Sequence, residues 1–169
     1  MKRWLIFLVV LLNGCTKVPP SALQPGLQFF TDIDEVRFVC SRSFHGEIEI
    51  VVRRPYHSPQ APPELRATIN TPGKKPSDSE TKHTEKKISE ELFAELRSYV
   101  TRKDLIEHSL VESPVSTDGS LWILEGRKGD FVISHRRLNP LYGSDAAFVA
   151  IGMRLLDIAD ISIPKKELY

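Results

Sequence analysis

The chain reads as an α+β domain, a mostly antiparallel β-sheet with two helices packed on one face. Short runs rich in Val, Ile and Phe occur between residues 35 and 69, and again between 121 and 135. Two longer segments, near 89–103 and 144–159, carry apolar residues at helical spacing. The order is strands, helix, strand pair, helix, with no internal repeat.

The first strand is Glu35 to Cys40, around Val36-Arg37-Phe38-Val39-Cys40, and the second is Glu47 to Arg53. Gly46 lies between them, so they form an antiparallel pair. In the second run Ile48, Ile50 and Val52 alternate with Glu47, Glu49, Val51 and Arg53, which predicts a sheet with one greasy and one wet side. Pro55, Pro59, Pro62 and Pro63 break the next segment, and Leu65 to Ile69 supplies a third strand. From Thr71 to Lys87 no large apolar residue occurs, which predicts a solvated loop or a locally disordered stretch.

A helix follows. Ser89 caps it, Glu90 and Glu91 occupy its first turn, and it closes near Arg102 and Lys103, charges that suit the helix dipole. Ile88, Leu92, Leu96, Tyr99 and Val100 form its core stripe. Asp118-Gly119 then makes a turn into a hairpin of Leu121–Glu125 and Phe131–His135, with Gly126 and Gly129 bracketing the connection. In that hairpin Leu121, Ile123 and Glu125 share a face with Phe131, Ile133 and His135, and Glu125 lies at the opposite end from Arg136 and Arg137. The predicted core joins Trp122 and Ile123 to Phe148 and Leu155. The last helix starts at Ser144 and Asp145 and ends at Asp157 or Ala159. It is apolar around most of its circumference and should be deeply buried.

The first fifteen residues have a different character. Lys2 and Arg3 precede a nine-residue apolar run, Trp4–Leu12, and then Leu12-Asn13-Gly14-Cys15. Nine residues are far short of the roughly 20 that span a bilayer, and Pro19 and Pro20 end any helix. This stretch resembles a bacterial lipoprotein signal peptide ending in a lipobox. The resemblance implies cleavage after Gly14, acyl chains on Cys15 and a place in the cell envelope. With Thr16 rather than an aspartate after the cysteine, it implies the periplasmic side of the outer membrane. The expected organisation is a signal peptide over 1–14, a lipidated tether over 15–28, one domain over 29–164 and a polar tail over 165–169.

The full chain has 169 residues with 23 basic and 22 acidic side chains. Without residues 1–14, which hold two basic residues and no acidic one, 155 residues remain at a net charge near −1. That length buries a core without staples, and that charge argues against a nucleic-acid partner. Cys40 is the only cysteine besides Cys15, so no disulfide framework exists. Cys40 is expected to be a buried thiol.

No sequence pattern marks a catalytic site. His45, His57, His83, His108 and His135 include no i,i+4 pair, and there is no Cys-x-x-Cys, His-Glu-x-x-His, Gly-x-Ser-x-Gly or Gly-rich phosphate loop. No metal, cofactor or catalytic residue is expected. A motif does occur in the last third: Asp118, Gly119, Trp122, Glu125, Gly126, Arg137 and Pro140, then the helix from Ser144. It resembles a segment that recurs in small Gram-negative proteins, and it implies a fold rather than an activity. Envelope-tethered inhibitors and immunity proteins share the format of lipid, tether and one small domain. The expectation is a non-catalytic lipoprotein that binds a protein partner. The alternatives are a structural component of an envelope assembly and a hydrolase using Glu125, His135 or Arg137. Candidate partner surfaces are the Thr71–Lys87 stretch and the group Arg136, Arg137 and Glu125, since guanidinium groups suit bidentate carboxylate pairing.

Overall fold

The computed structural model describes residues 33–43, 45–58, 60–73, 76–107, 119–140 and 145–164. The signal region, Cys15 and the tether lie outside these residues, as do Asp118, Ser144 and the tail. All described residues belong to one compact unit, Thr31–Tyr169.

Among the described residues six strands and three α-helices follow in order: β1 (Glu35–Arg42), β2 (Gly46–Arg53), β3 (Glu64–Thr71), β4 (Glu80–Lys87), α1 (Glu90–Val100), α2 (Lys103–Glu107), β5 (Ser120–Lys128), β6 (Phe131–Leu138) and α3 (Ala146–Ile158), with a 3-10 turn at Pro76–Asp78 before β4. The strands form one sheet in the order β4-β3-β2-β1-β5-β6, and every pairing is antiparallel. The chain thus folds as α+β with its helices on one sheet face. No described helix is long and apolar enough to cross a membrane.

Strand alternation determines the two faces. Val36, Phe38, Cys40, Ile48, Ile50, Val52, Leu65, Ala67, Trp122 and Leu124 point to the helices and are buried. Phe148, Ile151, Leu155 and Leu156 of α3 and Phe93, Leu96 and Val100 of α1 close over them. Each such large side chain contributes about 1.5–3 kcal/mol by leaving water. Phe38 and Trp122 meet edge to face, centroids 5.5 Å apart. Gly152 lets α3 lie directly on this pair, because a Cβ there would run into the Trp122 ring. Cys40 sits fully buried between Ile48 and Trp122, and burial pushes its thiol up to about 12, so it stays protonated.

Several expectations are corrected. Residues 80–87 are not loop but strand β4. Its sequence, ETKHTEKK, has no apolar residue because neither face of this edge strand is covered, and all its side chains are exposed except the half-buried Lys86. The β3 ladder and cross-strand pairs hold it: Arg66–Glu85 at 3.1 Å, Thr81 Oγ1 to Asn70 at 3.0 Å and Thr68 Oγ1 to His83 Nδ1 at 3.2 Å. Helix α1 begins as expected, with Ser89 Oγ accepting from Leu92 N at 3.2 Å. It stops at Val100, however, and Lys103–Glu107 form a separate short helix. Phe93, absent from the expected stripe, is among its most buried residues.

The hairpin also differs. The strands run to Lys128 and from Phe131, so the turn is Gly129-Asp130 and Gly126 lies within β5, opposite Ile133. Gly126 is a packing glycine: a Cβ there would come within 2.7 Å of Val100 Cγ1 and 2.8 Å of Ile33 Cδ1. In the true register Trp122, Leu124 and Gly126 share the helix face with Arg137, His135 and Ile133. Leu121, Ile123 and Glu125 share the open face with Leu138, Arg136 and Ser134. Ile123 therefore lies on the side of the sheet opposite Trp122, Phe148 and Leu155.

Candidate functional site

On the face turned away from the helices, the part toward the Gly129 turn is a charged lattice, while Val39, Ile123, Leu121 and Leu138 occupy the part away from it. One row across the sheet is Lys87, Glu64, Arg53, Glu35, Arg127, Val132, and the next is Glu85, Arg66, Val51, Arg37, Glu125, Ser134. Arg37 stands at its centre. Its Nε donates to Glu49 at 2.7 Å and its Nη1 to Glu125 at 3.0 Å, while Ser134 Oγ donates to Glu125 at 3.2 Å. Burial alone lowers the Arg37 pKa, but the two carboxylates outweigh it, and the net shift is upward. Glu125 is thus committed inside the sheet, its carboxylate bound from both sides.

Toward the end of the sheet near the Gly129 turn, the lattice loosens. Glu35 serves two guanidiniums at the limit of an ion pair, Arg53 at 3.9 Å and Arg127 at 4.0 Å. Arg53, Arg54, Tyr56, Arg127 and Gly129 line a concavity of about 270 Å3 there. Arg54 reaches across to Glu90 at 2.6 Å. The three large apolar side chains most exposed among the described residues are Tyr56 (78 %), Phe131 (69 %) and Val132 (49 %). Tyr56 lines the concavity, Val132 pairs with Arg127, and Phe131 follows the Gly129-Asp130 turn. All three lie at one end of the sheet, Val132 beside Arg127 on the open face, Tyr56 in the concavity with Arg53 and Arg127, and Phe131 opposite Lys128 on the other face.

The structure separates the adjacent arginines that the sequence offered together. Arg136 is exposed on the open face opposite Ile123, one pleat from Glu125 rather than at the far end of the hairpin. Among the described residues no carboxylate pairs with its guanidinium. Arg137 points the other way and is 7 % exposed. Its Nε donates to Asp145, its Nη1 donates to the Arg136 carbonyl at 2.8 Å, and its guanidinium lies 5.2 Å from the centre of the Phe148 ring. Asp145 also caps α3, accepting from Phe148 N at 3.2 Å. Arg137 thus ties β6 to the start of α3 and is too buried to form part of a partner surface.

His135 is 1 % exposed, with Nε2 2.7 Å from the Val100 carbonyl at the end of α1. Burial lowers its pKa, the Val100 carbonyl opposes that shift, and the neutral ring donates to the carbonyl. Glu125 lies on one face of the sheet, and His135 and Arg137 lie on the other. The three do not converge.

The sequence reading missed Tyr56, Arg53, Arg54 and Arg127. The available signal was an aromatic flanked by Arg53, Arg54 and a proline-rich connection, next to a strand end. No protein-family model matches the chain, and comparison with curated proteins gives no match.

Proposed function

We propose that this chain is a non-catalytic protein-binding module of immunity or inhibitor type, held by lipid on Cys15 at the periplasmic face of the outer membrane. The observation that carries the binding reading is the exposure of Tyr56 and Val132 beside Arg53 and Arg127 at one end of the sheet, with Phe131 exposed at the same end on the other face. Exposed aromatics with arginine are the composition of protein interfaces and of their energetic centres. The anchor reading is supported by Lys2, Arg3, the Trp4–Leu12 run and Gly14-Cys15. Multiple acyl chains anchor durably, at about 0.8 kcal/mol per buried methylene.

The test places a photo-crosslinking residue at Tyr56, Phe131 or Thr84 in the full chain, in cells. The expected result is one discrete protein adduct from Tyr56 and Phe131 and none from Thr84 on β4. It also includes release of the chain from membranes by Cys15→Ser. Absence of any adduct from Tyr56 and Phe131 contradicts the binding reading. Membrane retention of the Cys15→Ser chain contradicts the anchor.

A further inference from the structure

The outer edge of β6 is unpaired backbone with a defined polarity. Lys128 and Phe131 flank a two-residue turn, and Asn139 N donates to Ser120 O at 2.7 Å, so the odd-numbered residues of β6 bond to β5. The N–H and C=O groups of Val132, Ser134 and Arg136 consequently point away from the sheet. Among the described residues, nothing bonds to those of Val132 and Ser134. The Arg136 carbonyl accepts from Arg137 Nη1, which leaves its N–H on the edge. Among the described residues four ladder groups on two alternate residues are open, next to an exposed Val132 and an Arg136 guanidinium that no described carboxylate pairs.

The opposite edge of the sheet shows how such backbone is protected. β4 carries Lys82, Lys86 and Lys87 and no apolar side chain, a composition that discourages pairing. β6 instead presents Phe131 and Val132. Its inward side is fixed by buried His135 and Arg137, so the edge is held in strand geometry before any partner arrives.

We infer that β6 accepts an extended segment of the partner protein as a seventh strand, with a carboxylate of that segment facing Arg136 and an apolar side chain beside Val132. The inference rests on the protein-binding reading and specifies its mode, main-chain pairing with side chains read at alternate positions. Charge complementarity selects the occupant. β6 (FVISHRRL) has no acidic residue, so a second copy paired β6 to β6 would give Arg136 no carboxylate, and the β4 edge of a second copy brings three lysines with its Glu80 and Glu85 already paired to Lys82 and Arg66. An acidic segment of another protein does.

The experiment selects a random eight-residue displayed peptide library on the full chain in detergent. It then measures the enriched peptides on Ser134→Pro, Arg136→Glu and His83→Pro variants whose thermal unfolding remains cooperative; Ile88 N donates to Pro63 O, so the even-numbered residues of β4 bond to β3 and the His83 N–H, like that of Ser134, points outward. The expected peptides carry one Asp or Glu in register with alternate apolar residues. Ser134→Pro, which removes an outward N–H and no ladder bond to β5, should weaken them at least tenfold. Arg136→Glu should weaken them similarly and shift selection toward Lys or Arg, while His83→Pro, which removes an outward N–H of β4, should leave binding unchanged. Three results overturn the inference: no enrichment, enriched peptides indifferent to both β6 variants, or a concentration-dependent dimer abolished by Ser134→Pro. A Phe131 crosslink in cells that survives Ser134→Pro would remove strand addition and leave the protein-binding reading intact. Loss of all crosslinks in the unmodified chain would remove both.

Discussion

The two edge strands of one sheet solve the same problem in opposite ways. β4 and β6 each leave one side of their backbone unpaired. β4 is polar throughout and anchored at the surface, through cross-strand pairs and a Lys86–Asp160 ion pair. β6 is anchored inward, by His135 on Val100 and Arg137 on Asp145, and it displays apolar side chains at its start. An edge whose inner face is buried can carry exposed Phe and Val without losing its register. An edge wet on both faces has only its ladder and its charges. The difference separates a protected boundary of the fold from a surface offered to a partner.

The largest expected contrast is between the two anchors. Arg137→Ala leaves Asp145 without its guanidinium beside a packed helix start and should cost about 3 kcal/mol, the lower end for breaking a buried pair because Asp145 is part-exposed. Lys86→Ala removes a pair whose carboxylate is largely in water and should cost less than about 1 kcal/mol. Urea unfolding of both variants measures the two costs. Equal costs would erase the distinction between the edges.

A smaller effect is expected from pH. His135 is held neutral, with its folded pKa below the ordinary 6.5. The unfolded chain therefore gains a proton first as pH falls. The contribution of the neutral ring is complete above about pH 6.5 and is lost between there and the lowered folded value, at a slope approaching 1.4 kcal/mol per pH unit. Stability measured from pH 7.5 to 5 should decline across that window, and His135→Gln should flatten the decline. A profile identical in the variant would show that another group is responsible.

The alternation of Ile48, Ile50 and Val52 made β2 and its two faces legible from sequence, and the Ser89 cap and the apolar last helix were legible for the same reason, local periodicity. β4 was not legible, because a strand wet on both faces carries no apolar period and its partner β3 lies across a proline- and glycine-containing connection. Gly126 drew the hairpin turn three residues early. Its real cause is the approach of Val100 and Ile33, contacts between distant parts of the chain that local sequence does not display. Arg136 and Arg137 became a false pair once the second hairpin strand was ended at His135. Extended to Leu138, the strand's twofold alternation sends them to opposite faces. Tyr56 and Val132 come to the same end of the sheet only through the β1–β2, β1–β5 and β5–β6 registers, so that part of the site required the fold.

Amide exchange on the full chain reports whether β6 is covered by a partner and β4 is not, comparing the chain within isolated envelopes with the purified chain in detergent. The expected result is slower exchange in the envelope for the segment covering Phe131–Leu138, with the segment covering Glu80–Lys87 exchanging at the same rate in both. Protection confined to Glu80–Lys87, or no change in either segment, would contradict it.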